Sequence, residues 1–394
     1  MLVSIIKREF QDNLFSFKFF VTLIICLVLF LTSAYLMSED YQRRVGNYSA
    51  EKSSQKKELS ERPPVPLSVL ARGLDNSMGY DQRLNQLFSI FDTLDFMYIV
   101  KVALSLMAIF FSFGVISGEK ESGTLALTMS NPVSRSKVIL GKWIGNYAAL
   151  MMPFLLAVII ELVVINLSGL LPAEDGNMAR IGSIILLSLV YISVFFGLGV
   201  LGSAITQKAS TSLVISLLVW AVLILVVPST AMLVSKRIVD VPSVQEIRQK
   251  KNSTASTLRI ETTRKIDEKP ITNEERSKLW SETEKRINEE FKKLDEERKL
   301  KLRRMVLVTK DIARISPSSS YVFAATAFAR TGIEDRQSYD DLAEKSREEA
   351  NRSLKDLSES LKISVPDISL LLIINILLFL CAYTAFMKYD VRSE

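Results

Sequence analysis

Six long apolar runs, separated by polar segments of very unequal length, set the pattern along this chain of 394 residues. They cover 18–37, 96–117, 143–171, 181–206, 211–234 and 368–387. About twenty residues at about 1.5 Å each suffice to cross a hydrocarbon layer about 30 Å thick. The pattern predicts an all-α polytopic membrane protein with six transmembrane helices. Ahead of the first run, residues 1–17 place Leu2, Ile6, Phe10, Leu14 and Phe17 at helical spacing, with Lys7, Arg8, Glu9, Gln11 and Asp12 largely on the other face. This reads as an interfacial amphipathic helix lying on the membrane surface.

Lys7, Arg8 and Lys18 precede the first span, so the positive-inside tendency puts the amino terminus in the cytoplasm. Six spans then return the tail, 388–394, to the same side. The segments 38–95 and 235–366 both fall outside, as two mostly helical extracytoplasmic insertions. The first holds a helix, an extended piece fixed by Pro63, Pro64 and Pro66, and a second helix near Leu84 to Phe91. The second is long enough to be a domain. Its charged middle, Glu274 to Arg304, carries Trp280, Ile287, Phe291 and Leu294 as a narrow apolar stripe, which predicts a long helix pairing with another. Residues 321–329 are apolar but too short to span and are expected at the outer membrane surface. A further charged helix, Tyr339 to Leu361, leads back to the sixth span.

The long polar interruption between the second and third runs is 118–142. Glu119, Lys120 and Glu121 follow the apolar run directly, Gly123-Thr124 breaks the chain, and Asn131-Pro132 stops the preceding helix. Thr124 to Met129 can form a short helix across the membrane surface. The order Glu121-x-Gly123-Thr124-Leu125, then Pro132-Val133-Ser134-Arg135, then Gly141-Lys142 resembles the loop after the second span of ABC-2 type permeases, the membrane subunits of ATP-binding-cassette exporters. That resemblance implies a cytoplasmic coupling loop, with Glu119, Glu121, Arg135 and Lys137 contacting an ATPase subunit and Gly123, Thr124 and Pro132 shaping the loop. It also implies that the amino-terminal helix helps that contact, and that the functional unit holds two permeases, identical or not, and two ATPase subunits. ATP and Mg would then belong to the partner ATPase and not to this chain.

Composition narrows the chemistry. There is no histidine, and the two cysteines, Cys26 and Cys381, lie inside predicted spans, so a Cys/His zinc site, a disulfide framework and Ser-His or Cys-His catalysis are not expected. An intramembrane enzyme is disfavoured on the same grounds. The net charge of +6 comes from basic residues interleaved with acidic ones, which does not indicate nucleic-acid binding. The P-loop pattern is missing, since Ser136 and Trp143 replace the residues that would flank Gly141-Lys142. No cleavage-site pattern follows the first apolar run, which is expected to stay in the mature protein. The rival reading is a membrane sensor or scaffold whose external domain binds a ligand or envelope protein. Substrate is not legible.

Within the spans, Glu161 stands out, because a carboxylate at that depth costs roughly 2.5 to 3.5 kcal/mol on insertion scales. Lys101 is its candidate partner, at a depth differing by about 7 Å. The pair is a candidate polar point in a translocation path, or a purely structural pair. Asn166 and Asn375 read as hydrogen bonds between helices, and Gly197, Gly199 and Gly202 as sites of close helix packing.

Overall fold

The computed structural model describes residues 2–53, 62–73, 94–130, 133–170, 176–268, 272–343, 346, 350 and 356–389. Among them are helices and no strand. In chain order they are α1 (Leu2–Leu14), α2 (Phe17–Ser53), α3 (Phe96–Glu121), α4 (Thr124–Ser130), α5 (Arg135–Leu167) and α6 (Asn177–Ile205). Then follow α7 (Ala209–Ile238), α8 (Val244–Asp267), α9 (Asn273–Ala313), α10 (Pro317–Phe328), α11 (Ile333–Ala343) and α12 (Leu357–Lys388). Among these, α2, α3, α5, α6, α7 and α12 are long and apolar enough to cross a membrane. The six predicted spans are all present. The helix expected near Leu84 to Phe91 and the turn at 172–176 lie outside the described residues, except for Gly176.

The chain divides into two compact units, Met1–Ser229 with Arg314–Glu394, and Thr230–Ala313. In the second, each long helix begins on a signal written in the sequence. Ser243 and Glu246 form a capping box at α8. At α9 the Thr272 amide and hydroxyl both donate to Glu275, which holds that carboxyl below the usual carboxylate range. The predicted stripe Trp280, Ile287, Phe291 and Leu294 is the inward face of α9, and the Thr262 and Thr283 hydroxyls meet at 2.7 Å where α8 and α9 pair.

In the first unit the core is Phe-rich, with Phe30, Phe96 and Phe154 from three spans packed as one T-shaped and two tilted ring pairs. Gly197, Gly199 and Gly202 of α6 are close-packing positions, lying against Trp143, Ser112 and Ser216 in turn. Asn375 on α12 donates to Val190 O and accepts from Ser193 on α6, the expected link between helices. Asn166 differs from expectation and is exposed at the last turn of α5. Two spans carry one stretch of π-helix each, Ile99–Leu104 in α3 and Val222–Val226 in α7. A π-stretch frees carbonyls, and hydroxyls from elsewhere take them: Tyr191 donates to Lys101 O at 2.8 Å and Ser316 to Leu223 O.

The stretch expected at the outer surface is α10, and all twelve of its residues are buried against the spans. Its composition explains this, because Ala324, Ala325 and Ala327 let helices approach while Tyr321, Val322, Phe323 and Phe328 are apolar all round, so no side suits water. Tyr321 stacks on Tyr191 with ring centroids 4.5 Å apart and shares a hydrogen bond with Ser188. Arg180, itself buried, donates to Phe328 O at 2.9 Å, placing a cation on the last carbonyls of α10.

Candidate functional site

Within the polar loop of 118–142, Thr124–Ser130 folds as the short helix α4. Gly123 takes a φ of +70° that a side chain would resist, and it separates the last turn of α3 from α4. Pro132 lies outside the described residues. In α4, Leu125 is buried in the core and Met129 is partly buried one turn on. The opposite face, Thr124, Leu127 and Ser130 at spacing three, is exposed, and Leu127 keeps 69 % of its surface. That face carries no charge.

Three charges of the loop reach helix ends. Lys120 is buried, and its Nζ donates to Ala204 O at 2.6 Å and Thr206 O at 3.1 Å, carbonyls that the end of α6 leaves without helical partners. One residue on, Glu121 accepts from the Ala209 amide at 3.0 Å, the first residue of α7. A cation on a carboxyl end and an anion on an amino end are the two favourable signs for the helix dipole. Arg135 Nη1 donates to Met387 O at 3.0 Å and Tyr389 O at 2.7 Å, at the end of α12. Ser203 accepts from the Ile116 and Ser117 amides where α3 bends. Lys137 is exposed.

Glu119 goes to a third place. Lys142, whose side chain is 4 % exposed, donates to Glu119 at 2.6 Å and to Glu9 of α1 at 2.7 Å. Asn146 donates to the other Glu9 oxygen at 2.9 Å and accepts from Asn13 at 2.8 Å. Nearby, Gly141 leaves room for the Ile5 side chain of α1 and Gly145 for the α1 backbone. A Cβ on the first would lie 2.5 Å from Ile5 Cγ2, and on the second 2.8 Å from Ile6 O. The small-x-x-x-small spacing lets two helices touch along their backbones. So α1 lies on the base of α5. Its apolar positions Leu2, Ile6, Phe10 and Leu14 are partly covered, and Glu9, expected on the polar side, points inward to Lys142.

Residues 3–391 match the family model described as ABC-2 family transporter protein. The chain belongs to that family. No curated protein matches it. As a member, it is a membrane permease component of an ABC transporter, with six helices long and apolar enough to span.

The remaining sequence candidates lie deeper in the permease. Glu161 is fully buried, and neither carboxyl oxygen has a hydrogen-bond partner. The groups nearest in effect are the Ser33 hydroxyl of α2 and the Asp95 carboxylate. Asp95 is itself held by the Arg72 and Tyr98 amides. Lys101 is turned toward the Tyr98 ring, 6.0 Å from its centroid, so the structure does not bring Lys101 and Glu161 together. Neither oxygen holds an ion pair, so Glu161→Gln keeps the shape of the side chain and breaks no salt bridge. The variant is expected to insert and melt like wild type in detergent, within about 1 kcal/mol. A larger loss would show that the carboxylate is paired in the folded protein.

Sequence reasoning missed Glu9, Lys120, Lys142 and Asn146 as members of this site. Two signals were present: the spacing Gly141-x-x-x-Gly145, and a lysine directly before the third apolar run.

Proposed function

We propose that this ABC-2 permease exports its substrate with ATP hydrolysed by a separate ATPase subunit, which docks on α4 and the exposed side of α1 at the cytoplasmic face. The observation that carries the reading is the layout of the loop. Glu119, Lys120, Glu121 and Arg135 hold the ends of α6, α7 and α12 and the base of α5, while the outward face of α4 is uncharged.

A displacement of α4 by a closing ATPase pair acts on the last turn of α3. From there Lys120 and Glu121 pass it to the junction of α6 and α7, and Lys142 passes it to α5. Glu119, Glu121 and Arg135 thus act by holding the permease's own helices, Gly123 and Thr124 set the angle at which α4 leaves α3, and Lys137 offers an exposed cation beside the dock. Two permeases and two ATPase subunits make the exporter, and both termini of the chain face the cytoplasm. Glu161 lies inside one chain and not on its surface, so it does not line a path between permeases.

The test is purification of the tagged chain from the cell membrane in mild detergent, with ATP hydrolysis measured on the eluate. An ATPase that comes through with the chain supports the reading. A folded chain that repeatedly emerges without one overturns it and turns attention to a sensor or scaffold role for the 230–313 unit.

A further inference from the structure

We propose that Lys142 is a positioning residue that makes α1, the last turn of α3 and the base of α5 move as one body. The inference deepens the docking reading above and rests on it for its mechanical meaning. Three observations support it.

First, Lys142 links two carboxylates that do not otherwise meet among the described contacts. Glu9 stands 133 positions before it and Glu119 stands 23 before it, on different elements, and both bond the same ammonium at 2.7 and 2.6 Å. Second, the ammonium is enclosed. At 4 % exposure of its side chain, it does not exchange one carboxylate for water without uncovering a charge. Third, the surroundings are close-packed. Gly141 lies against the Ile5 side chain, Gly145 lies against the α1 backbone at Ile6 and Phe10, and the Asn13–Asn146 contact closes the far end.

An ordinary tether would hold α1 alone. Here the geometry predicts transmission: a change at Glu119, which belongs to α3, reaches α1 through Lys142. The consequence for the transporter is that a partner pushing on the loop moves the amino-terminal helix and the third span together.

The test is hydrogen exchange on the full chain in lipid nanodiscs, read for peptides within 2–14, 117–123 and 181–205. Glu119→Gln is expected to raise exchange in 2–14 by about tenfold, with 181–205 unchanged. Lys142→Met is expected to do the same, and Lys142→Arg to keep most of the protection. In the Lys142→Met background, adding Glu119→Gln is expected to change α1 no further. If Lys142→Met does not accumulate, Glu119→Gln and Glu9→Gln still decide the matter. Unchanged α1 exchange in Glu119→Gln overturns the proposal, because the lysine then supports α1 without linking it to the loop. A second arm adds a non-hydrolysable ATP analogue to the complex with the ATPase. Wild type is expected to change in 2–14 and 117–123 together, and Lys142→Met in 117–123 alone; joint changes in the variant would overturn the link. The first arm uses the permease by itself, so its failure is distinct from failure to find an ATPase.

Discussion

Leu127→Glu is expected to release the ATPase from the purified permease while leaving the permease folded. Leu127 is 69 % exposed on α4, and its neighbours on that face are Thr124 and Ser130, so no charge is present to help or hinder docking. An exposed apolar side chain at the centre of an uncharged face is suited to enter an apolar socket, and central anchors of this kind cost about 2 kcal/mol or more when lost. A carboxylate placed there adds its own desolvation, giving a loss of affinity of at least about thirtyfold. The same change costs the isolated chain within about 0.5 kcal/mol, because the position touches no core. Co-purification and a thermal melt, run side by side, separate the two effects. Leu127→Ala should weaken binding less. Retention of the ATPase by Leu127→Glu would mean that docking is elsewhere, with the exposed Lys7, Arg8 and Lys137 as the next surface to examine.

The largest loss of stability is expected from Asp367→Ala. Asp367 is 1 % exposed at the start of the last span, and Arg314 holds it with both arms, Nε to Oδ1 at 2.8 Å and Nη2 to Oδ2 at 3.2 Å. Removing the carboxylate takes the bidentate partner from a guanidinium that is largely covered. Breaking a buried pair from one side costs roughly 3 to 5 kcal/mol, and the 24 % exposure of Arg314 places this case near 3. Asp367→Asn keeps one acceptor and is expected to lose less. The measurement is the midpoint of unfolding in detergent for the three proteins. Equal midpoints would show that the pair contributes nothing to the fold.

How far the sequence carried the fold depends on whether a property is local. A long apolar run has one physical reading in water-free surroundings, so all six spans could be found. Their ends could not, because a helix does not stop at the edge of a membrane. The first continues to Ser53, and the last begins at Leu357 and runs through Pro366. The twelve residues of α10 were misplaced for another reason. Too short to span and too apolar for water, they are held by Arg180, Ser188 and Tyr191 of a different helix, and no window along the chain contains both partners. The loop of the candidate site was legible by position and by resemblance. The direction its charges take was not. Glu119, Glu121 and Arg135 are surface residues by composition, yet each finds a helix end or an ammonium that only the folded bundle supplies.

The enclosed position of α10 carries a consequence for how the protein is made. Twelve residues cannot be handed to the bilayer as a passenger of their own during synthesis. The segment must first wait in water beside the newly inserted fifth span. It settles only when α6 and α12 are both in place, for α6 supplies Arg180 to close its end and α12 supplies Ser360, which shares that arginine. A nascent chain cut before the sixth span would therefore present Tyr321, Phe323 and Phe328 to solvent, and quality control in the cell would meet it as an unfinished protein.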